Sequence, residues 1–222
     1  MKLNRTYRTF AEMPEVVPVF PVAGALLLPR RPIQLTVFEP RYLEMLDDAL
    51  TGERLIGMIQ PTAGEEAAEP TPELCAVGCA GRIVQYAEIG DGRCFLTLMG
   101  VARFRVAGEV PTEQPYRKVR ADFSSFFDDF HEGAGENEVD RRSLVDTLRD
   151  YAKANELKID WDDVEQASNE ALVNALSMMS PYGAKEKQAL LEAADLKSRA
   201  EILVAISQIE MARGADAPRQ LH

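Results

Sequence analysis

Few side chains in this sequence stand where bond chemistry would need them. Three cysteines (Cys75, Cys79, Cys94) and two histidines (His131, His222) are the whole supply of soft nucleophiles and imidazole bases. A cysteine nucleophile needs a neighbouring base and a depressed pKa. The pairing on offer joins Cys79 or Cys94 to His131, which lies in a glycine-bearing acidic stretch, a poor seat for a fixed base. Cys75 and Cys79 are separated by three residues rather than the two of redox and zinc knuckles, and a structural zinc takes four ligands. The thiols therefore read as reduced and partly buried. Glu44, Asp47 and Asp48 group acids that elsewhere hold divalent ions or move protons. Here they fall opposite Leu43, Leu46 and Leu50 on a helical repeat, which makes them a solvated face. Ser143, Ser168, Ser177, Ser180 and Ser198 lack a Gly-x-Ser-x-Gly setting, and most fall at helix ends where capping explains them. No catalytic, cofactor-binding or metal-binding set is expected.

Binding is a better prospect. Glu39 and Arg41 flank Pro40 at a strand–helix joint, where they read as an ion pair or cap rather than a grip on a ligand. Arg103, Arg105, Arg117, Lys118 and Arg120 could share the outer face of adjacent strands and form the one basic feature of an acidic protein. They lack the interleaved aromatics that stack bases. An internal partner, the acidic run Asp128–Asp140, or plain solvation is the expected fate of that face. Phe123, Phe126, Phe127 and Phe130 are four aromatics within eight residues. Buried, they seal a β subdomain against helices; exposed, they are candidate contacts for unfolded polypeptide.

Composition bounds these readings. The chain has 222 residues, 46% hydrophobic and 27% charged, which suffices for a proper core. Its formal charge of −11 is concentrated late, with 11 cations against 20 anions in residues 126–222 and 14 against 16 before them. Nucleic-acid binding relies on cations neutralising phosphates, so a pI near 4.8 argues against it. No apolar run reaches membrane-spanning length. Residues 1–20 lack the compact apolar core of a secretory signal, and a cytoplasmic location is expected.

The elements that must position any site follow from periodicity. Residues 16–22 and 25–28 are apolar runs punctuated by proline. Ile33–Phe38 alternates as a strand, Pro40 suits a helix first turn, and Arg54–Ile59 reads as a buried strand after the Gly52 stop. Thr62–Pro72 reads as a solvated loop. Residues 74–122 read as a β meander, with Gly78 and Gly81 marking a bulge or bend and Asp91-Gly92 a tight hairpin turn. Phe104 and Val106 are expected inward, Arg103 and Arg105 outward. From residue 141 the period changes to 3.6, with Ser168 and Asp195 as N-caps and Leu196, Ala200, Leu203, Ile206 and Ile209 on the core face of the last helix. The expected fold class is α+β: a bent sheet or pseudo-barrel with one helix over 1–125, an acidic linker over 126–140, a bundle of about four helices over 141–213, and a flexible tail over 214–222.

Several blocks in order resemble the Lon protease N-terminal domain family. They are Val17-Pro18-Val19-Phe20-Pro21, Leu26-Leu27-Leu28-Pro29, Leu35-Thr36-Val37-Phe38-Glu39-Pro40-Arg41-Tyr42 and Gly52-Glu53-Arg54-Leu55-Ile56-Gly57, followed by Val77-Gly78-Cys79-Ala80-Gly81-Arg82-Ile83 and Gly100-Val101-Ala102-Arg103-Phe104. Glu186–Glu192 and Leu196–Arg199 extend the resemblance into the helices. It implies a PUA-like β subdomain followed by a helical bundle, and a role in recognising unfolded polypeptide or a partner protein without a cofactor. Strand addition at a sheet edge, or contacts in a cleft between subdomains, is the implied mode. The sequence has no Gly-x-x-x-x-Gly-Lys-Ser/Thr loop, so ATPase chemistry is not expected to carry over, nor is a Ser–Lys peptidase. The alternative is a PUA-like binder of RNA or small molecules using the Arg103–Arg120 face.

Overall fold

A computed structural model describes residues 6–62 and 71–216. The strands are β1 (Val16–Pro21), β2 (Pro32–Val37), β3 (Leu55–Pro61), β4 (Leu74–Glu88), β5 (Cys94–Val110) and β6 (Lys118–Asp122). The helices are α1 (Pro40–Thr51), α2 (Arg141–Ala154), α3 (Trp161–Gln166), α4 (Asn169–Met179), α5 (Ala184–Glu192) and α6 (Leu196–Asp216). The class is α+β, as expected. Two compact units are present: Met1–Glu132 with Pro181–Glu192, and Gly133–Ser180 with Ala193–His222. Of the loop expected over Thr62–Pro72, residues 63–70 lie outside the described residues, as do residues 217–222 of the expected tail.

The first unit is a sheet that closes on itself. Its order is β2-β5-β4-β3-β1-β6, and β6 pairs again with β5. The 17 residues of β5 make this possible. Its second half, Arg105 to Val110, pairs with β6, while its first half, Cys94 to Met99, pairs with β2. Strands β5, β4, β3, β1 and β6 therefore form a ring, with β1–β3 the parallel pair. Strand β2 is left outside as the border of a flange made with β5 and the far half of β4. The two strands joined by α1 are not neighbours: β2 edges the flange and β3 lies in the ring.

Period-two positions from all five ring strands fill the interior. Val17 and Val19, Leu55 and Ile59, Ala80, Ala102 and Phe104, and Val119 and Ala121 form one buried cluster with Phe123, Tyr7 and Met13. Tyr7 and Met13 thus reach the core from either side of a short 3₁₀ turn, Phe10–Glu12. Gly57 and Gly78 face Phe104 from β3 and β4, and a β-carbon at Gly78 would stand 2.6 Å from its ring. The register shifts between Ala80 and Gly81, where a bulge was expected. Asp91 and Gly92 both take positive φ, 52° and 68°, the geometry of a type I′ hairpin turn.

Helix α1 differs from expectation in its buried face. Tyr42, Met45, Leu46 and Ala49 are buried, whereas Leu43 and Leu50 are only partly covered. The apolar stripe is wider than leucines alone show, and Tyr42 packs its ring 4.3 Å from that of Phe20.

The second unit contains α2, α3, α4 and α6, four helices, while α5 belongs to the first. Leu144, Leu148, Tyr151, Val164, Leu172, Val173, Leu196, Ala200 and Leu203 are buried. Ile209 is exposed, against expectation, and α6 runs on through Gly214 to Asp216. The Ser168 side chain accepts the Ala171 N–H as the N-cap of α4. Asp195 accepts the Ser198 N–H at 2.7 Å, and this bond holds its carboxyl below the ordinary value of 3.8. A depressed carboxyl stabilises the fold above its unfolded pKa and loses that contribution as pH falls through the folded value. Asp195→Asn keeps the cap acceptor but removes the charge at the helix N-terminus, so it is expected to cost about 0.3–1 kcal/mol near neutrality, and urea titrations should show the difference from the parent shrinking below about pH 4. Among the described residues, no helix is long and apolar enough to cross a membrane.

Candidate recognition surface

The basic strand face is not a free cationic surface. Alternation places Arg103 outward from the ring, as expected, yet it is only 2% exposed because other segments cover it. The stretch Ser124–Phe130, in 3₁₀ conformation with a break at Phe126, lies against β5. Asp129 from that stretch grips Arg103 on both sides, Oδ1 to Nη2 at 2.8 Å and Oδ2 to Nε at 2.9 Å. The same Oδ2 accepts the backbone N–H of Arg103 at 2.8 Å, and Nη1 donates to the Leu191 carbonyl of α5. The Phe126 ring lies under the guanidinium at 4.2 Å. This is the internal acidic partner foreseen for the face, supplied by Asp129.

The remaining cations divide among separate neighbours. Arg105 stands 5.6 Å over the Phe126 ring, Arg117 holds Glu109 through two bonds, Lys118 lies over the Tyr116 ring, and Arg120 pairs with Glu15. Carboxylates thus hold three of the five cations, and Arg105 and Lys118 lie over aromatic rings, which makes a thin surface for a phosphate backbone.

The four phenylalanines do not share one environment. Phe123 is buried with its ring 5.7 Å from Phe104, and Phe130 packs against the same ring core. Phe126 is buried beneath the arginines. Phe127 alone is presented to solvent, at 55% exposure, with its ring edge-on to His131. His131 is thus engaged with an aromatic. Sγ of Cys79 and of Cys94 approach the carbonyls of Ala80 and Phe95, and burial pushes the Cys94 thiol up, opposite to the shift that activates a nucleophile. Glu39 and Arg41 pair with each other at 2.8 Å, and the guanidinium lies over Tyr42. Glu44 and Asp47 are exposed, while Asp48 accepts from the Tyr116 hydroxyl.

Two features escaped sequence reasoning. Gln60, 1% exposed, accepts the Gly24 N–H and donates to the Ala184 carbonyl and to Gln188 of α5. Gln188 in turn donates to the Val77 carbonyl of β4. A glutamine in an apolar strand signals an internal bond, but its partner lies 124 residues away. The second is the flange, where Phe38, Val84, Tyr86 and Ile89 are large, apolar and exposed. Phe38 reaches 63%.

Comparison with known proteins places this arrangement. The family model described as the ATP-dependent protease La (LON) substrate-binding domain matches residues 16–207. Lon protease from Dictyoglomus thermophilum is 29% identical over 212 residues, covering 89% of this chain and 24% of that protein. Lon protease 2 from Myxococcus xanthus is 27% identical, covering 87% and 23%. The chain thus spans about a quarter of the length of these curated relatives. Among solved structures, the Lon N-terminal domain protein from Xanthomonas campestris superposes with a TM-score of 0.61 at 22% identity, over 86% of this chain and 97% of that one. The N-terminal domain of the Mycobacterium avium complex Lon protease gives the same TM-score at 17% identity, over 87% and 98%. The chain belongs to the family of Lon substrate-binding domains.

Proposed function

We propose that this chain is a polypeptide-recognition module that carries out no bond chemistry of its own and acts on unfolded or partly unfolded proteins in the cytoplasm. The observation that carries the reading is the match to a substrate-binding family over residues 16–207. The exposed apolar side chains of the flange support it, since such groups bind apolar segments that folded proteins keep inside. The raised Cys94 thiol and the engagement of Arg103 with Asp129 fit a scaffold better than a reactive centre. The RNA-binding alternative draws no support from cations already held by Asp129, Glu109 and Glu15.

The test is calorimetric titration with lysozyme that has been reduced and blocked with iodoacetamide, run beside native lysozyme. Both forms are basic, so the comparison removes charge attraction to an acidic chain. Saturable binding of the unfolded form alone is expected. Equal or absent binding of the two forms, or ATP or peptide turnover by the chain itself, would overturn the reading.

A further inference from the structure

The flange ends in a strand whose outer edge is open. Strand β2 stands last in the sheet order, and among the described residues no strand pairs with its far side. Which of its backbone groups face outward follows from the ladder. Gly100 donates to the Arg31 carbonyl, which makes 31 and 100 a hydrogen-bonded pair. In an antiparallel ladder such pairs recur at every second residue, so Ile33, Leu35 and Val37 bond to Leu98, Leu96 and Cys94. The other side of β5 agrees. Ile89 donates to the Arg93 carbonyl, which assigns Ala87–Phe95 and Gln85–Thr97 as the bonded pairs with β4 and leaves Cys94, Leu96 and Leu98 for β2. The N–H and C=O groups of Gln34 and Thr36 therefore point away from the sheet, and both residues are exposed.

Proteins usually blunt such an edge with lysine, proline, a bulge or a buried charge. Here Pro32 stands at the strand start, and the doubled contact of Gly100 with Arg30 and Arg31 forms a bulge there. Beyond them, Ile33-Gln34-Leu35-Thr36-Val37-Phe38 carries no charge and no proline, and is rich in β-branched and aromatic residues. It is an uncharged, adhesive edge in a sheet whose other strands close into a ring.

We propose that β2 is where this module takes hold of its client: an extended, uncharged or basic polypeptide segment adds as a seventh strand beside Gln34 and Thr36. The proposal rests on the reading of the chain as a recognition module and names the way it recognises. Backbone N–H and C=O groups at strand spacing are complementary to one class of ligand, another extended peptide backbone. The exposed Phe38 at the strand end gives apolar side chains of that segment a partner. The −11 charge of the chain opposes acidic segments and also opposes pairing of β2 with a second copy of itself.

Proline at position 36 removes an outward N–H while sparing the ladder with β5, and alanine there keeps the N–H. With reduced, iodoacetamide-blocked lysozyme as probe, Thr36→Pro is expected to weaken binding by about tenfold or more, since lost backbone bonds and a blocking ring each cost a fraction of that. Thr36→Ala should leave binding within about twofold. Amide exchange of the unaltered protein gives a readout that does not depend on how the proline variant folds. The amides of Gln34 and Thr36 should exchange fast alone and become protected when the probe is added. Binding that Thr36→Pro leaves intact, with no protection at 34 and 36, overturns the edge and leaves the recognition module standing. No binding in any form overturns both. Protection that grows with protein concentration in the absence of probe assigns the edge to a second copy, and also overturns the proposal.

Discussion

Asp129→Ala is expected to destabilise the first unit by about 3–5 kcal/mol, because it takes a doubly bonded carboxylate away from the buried Arg103 guanidinium. The size of the effect comes from what the carboxylate does at once. Oδ1 and Oδ2 hold Nη2 and Nε, and Oδ2 also accepts the Arg103 backbone N–H. Removing it takes one acceptor group away from three donors in a site 2% exposed on the arginine side, where water has little access. The Leu191 carbonyl and the Phe126 ring remain, but neither is an anion. Replacing both partners should cost less: Arg103→Met with Asp129→Leu removes the charge and its partner together, an exchange often near neutral, and leaves about 1–3 kcal/mol for the backbone N–H at position 103 that loses Oδ2. Urea unfolding followed by far-ultraviolet dichroism and by exchange of β5 amides checks this. Fluorescence will not serve, because the single tryptophan, Trp161, lies in the second unit. A single variant within about 1 kcal/mol of the parent would mean that Arg103 finds water or another anion.

The same pair shows where a sequence stops being informative. The alternation of Ala102, Arg103, Phe104 and Arg105 states correctly which side chains face the ring interior. It leaves open whether the acidic run covers the outer face or water does, because Asp129 arrives from 26 residues downstream and Leu191 from 88. The caps at Ser168 and Asp195 and the turn at Asp91-Gly92 were legible for the opposite reason: each is decided within four residues. Helix α5 carries an ordinary amphipathic pattern and was grouped with the helices beside it in the chain. Its membership of the first unit depends on Gln60 and Val77, which hold Gln188, and no local signal announces them. Ring closure belongs to the same category. It needs β5 to be long enough to serve two partners on one side, and the meander pattern over 74–122 does not show that length. The candidate surface was legible in part. Phe38 and the strand before it carry part of the family resemblance, while their exposed edge follows only from the strand order.

Phe104→Ala should be as damaging as loss of Asp129, about 3–5 kcal/mol, and for a reason that neighbouring glycines make testable. The ring is fully buried at the centre of the five-stranded ring and packs on Phe123. It has room because two strands omit a side chain in front of it. A β-carbon on Gly57 would meet Phe104 at 3.0 and 3.1 Å and Val19 at 3.2 Å, all side-chain atoms. A β-carbon on Gly78 would meet Phe104 at 2.6 Å but also the Met58 carbonyl oxygen at 2.7 Å, which is backbone. Gly57→Ala and Gly78→Ala should each destabilise the parent by overpacking, on the order of 1–3 kcal/mol. In the Phe104→Ala background the two must part. Gly57→Ala loses its main clash and partly fills the cavity, so the pair should be coupled favourably by about 1 kcal/mol or more. Gly78→Ala is relieved of the ring but still meets the Met58 carbonyl at 2.7 Å, so it should keep a larger part of its penalty and couple more weakly. The double-mutant cycle, read from urea midpoints at constant slope, decides between them. No coupling at either glycine would show that Phe104 is not what keeps those positions free of side chains.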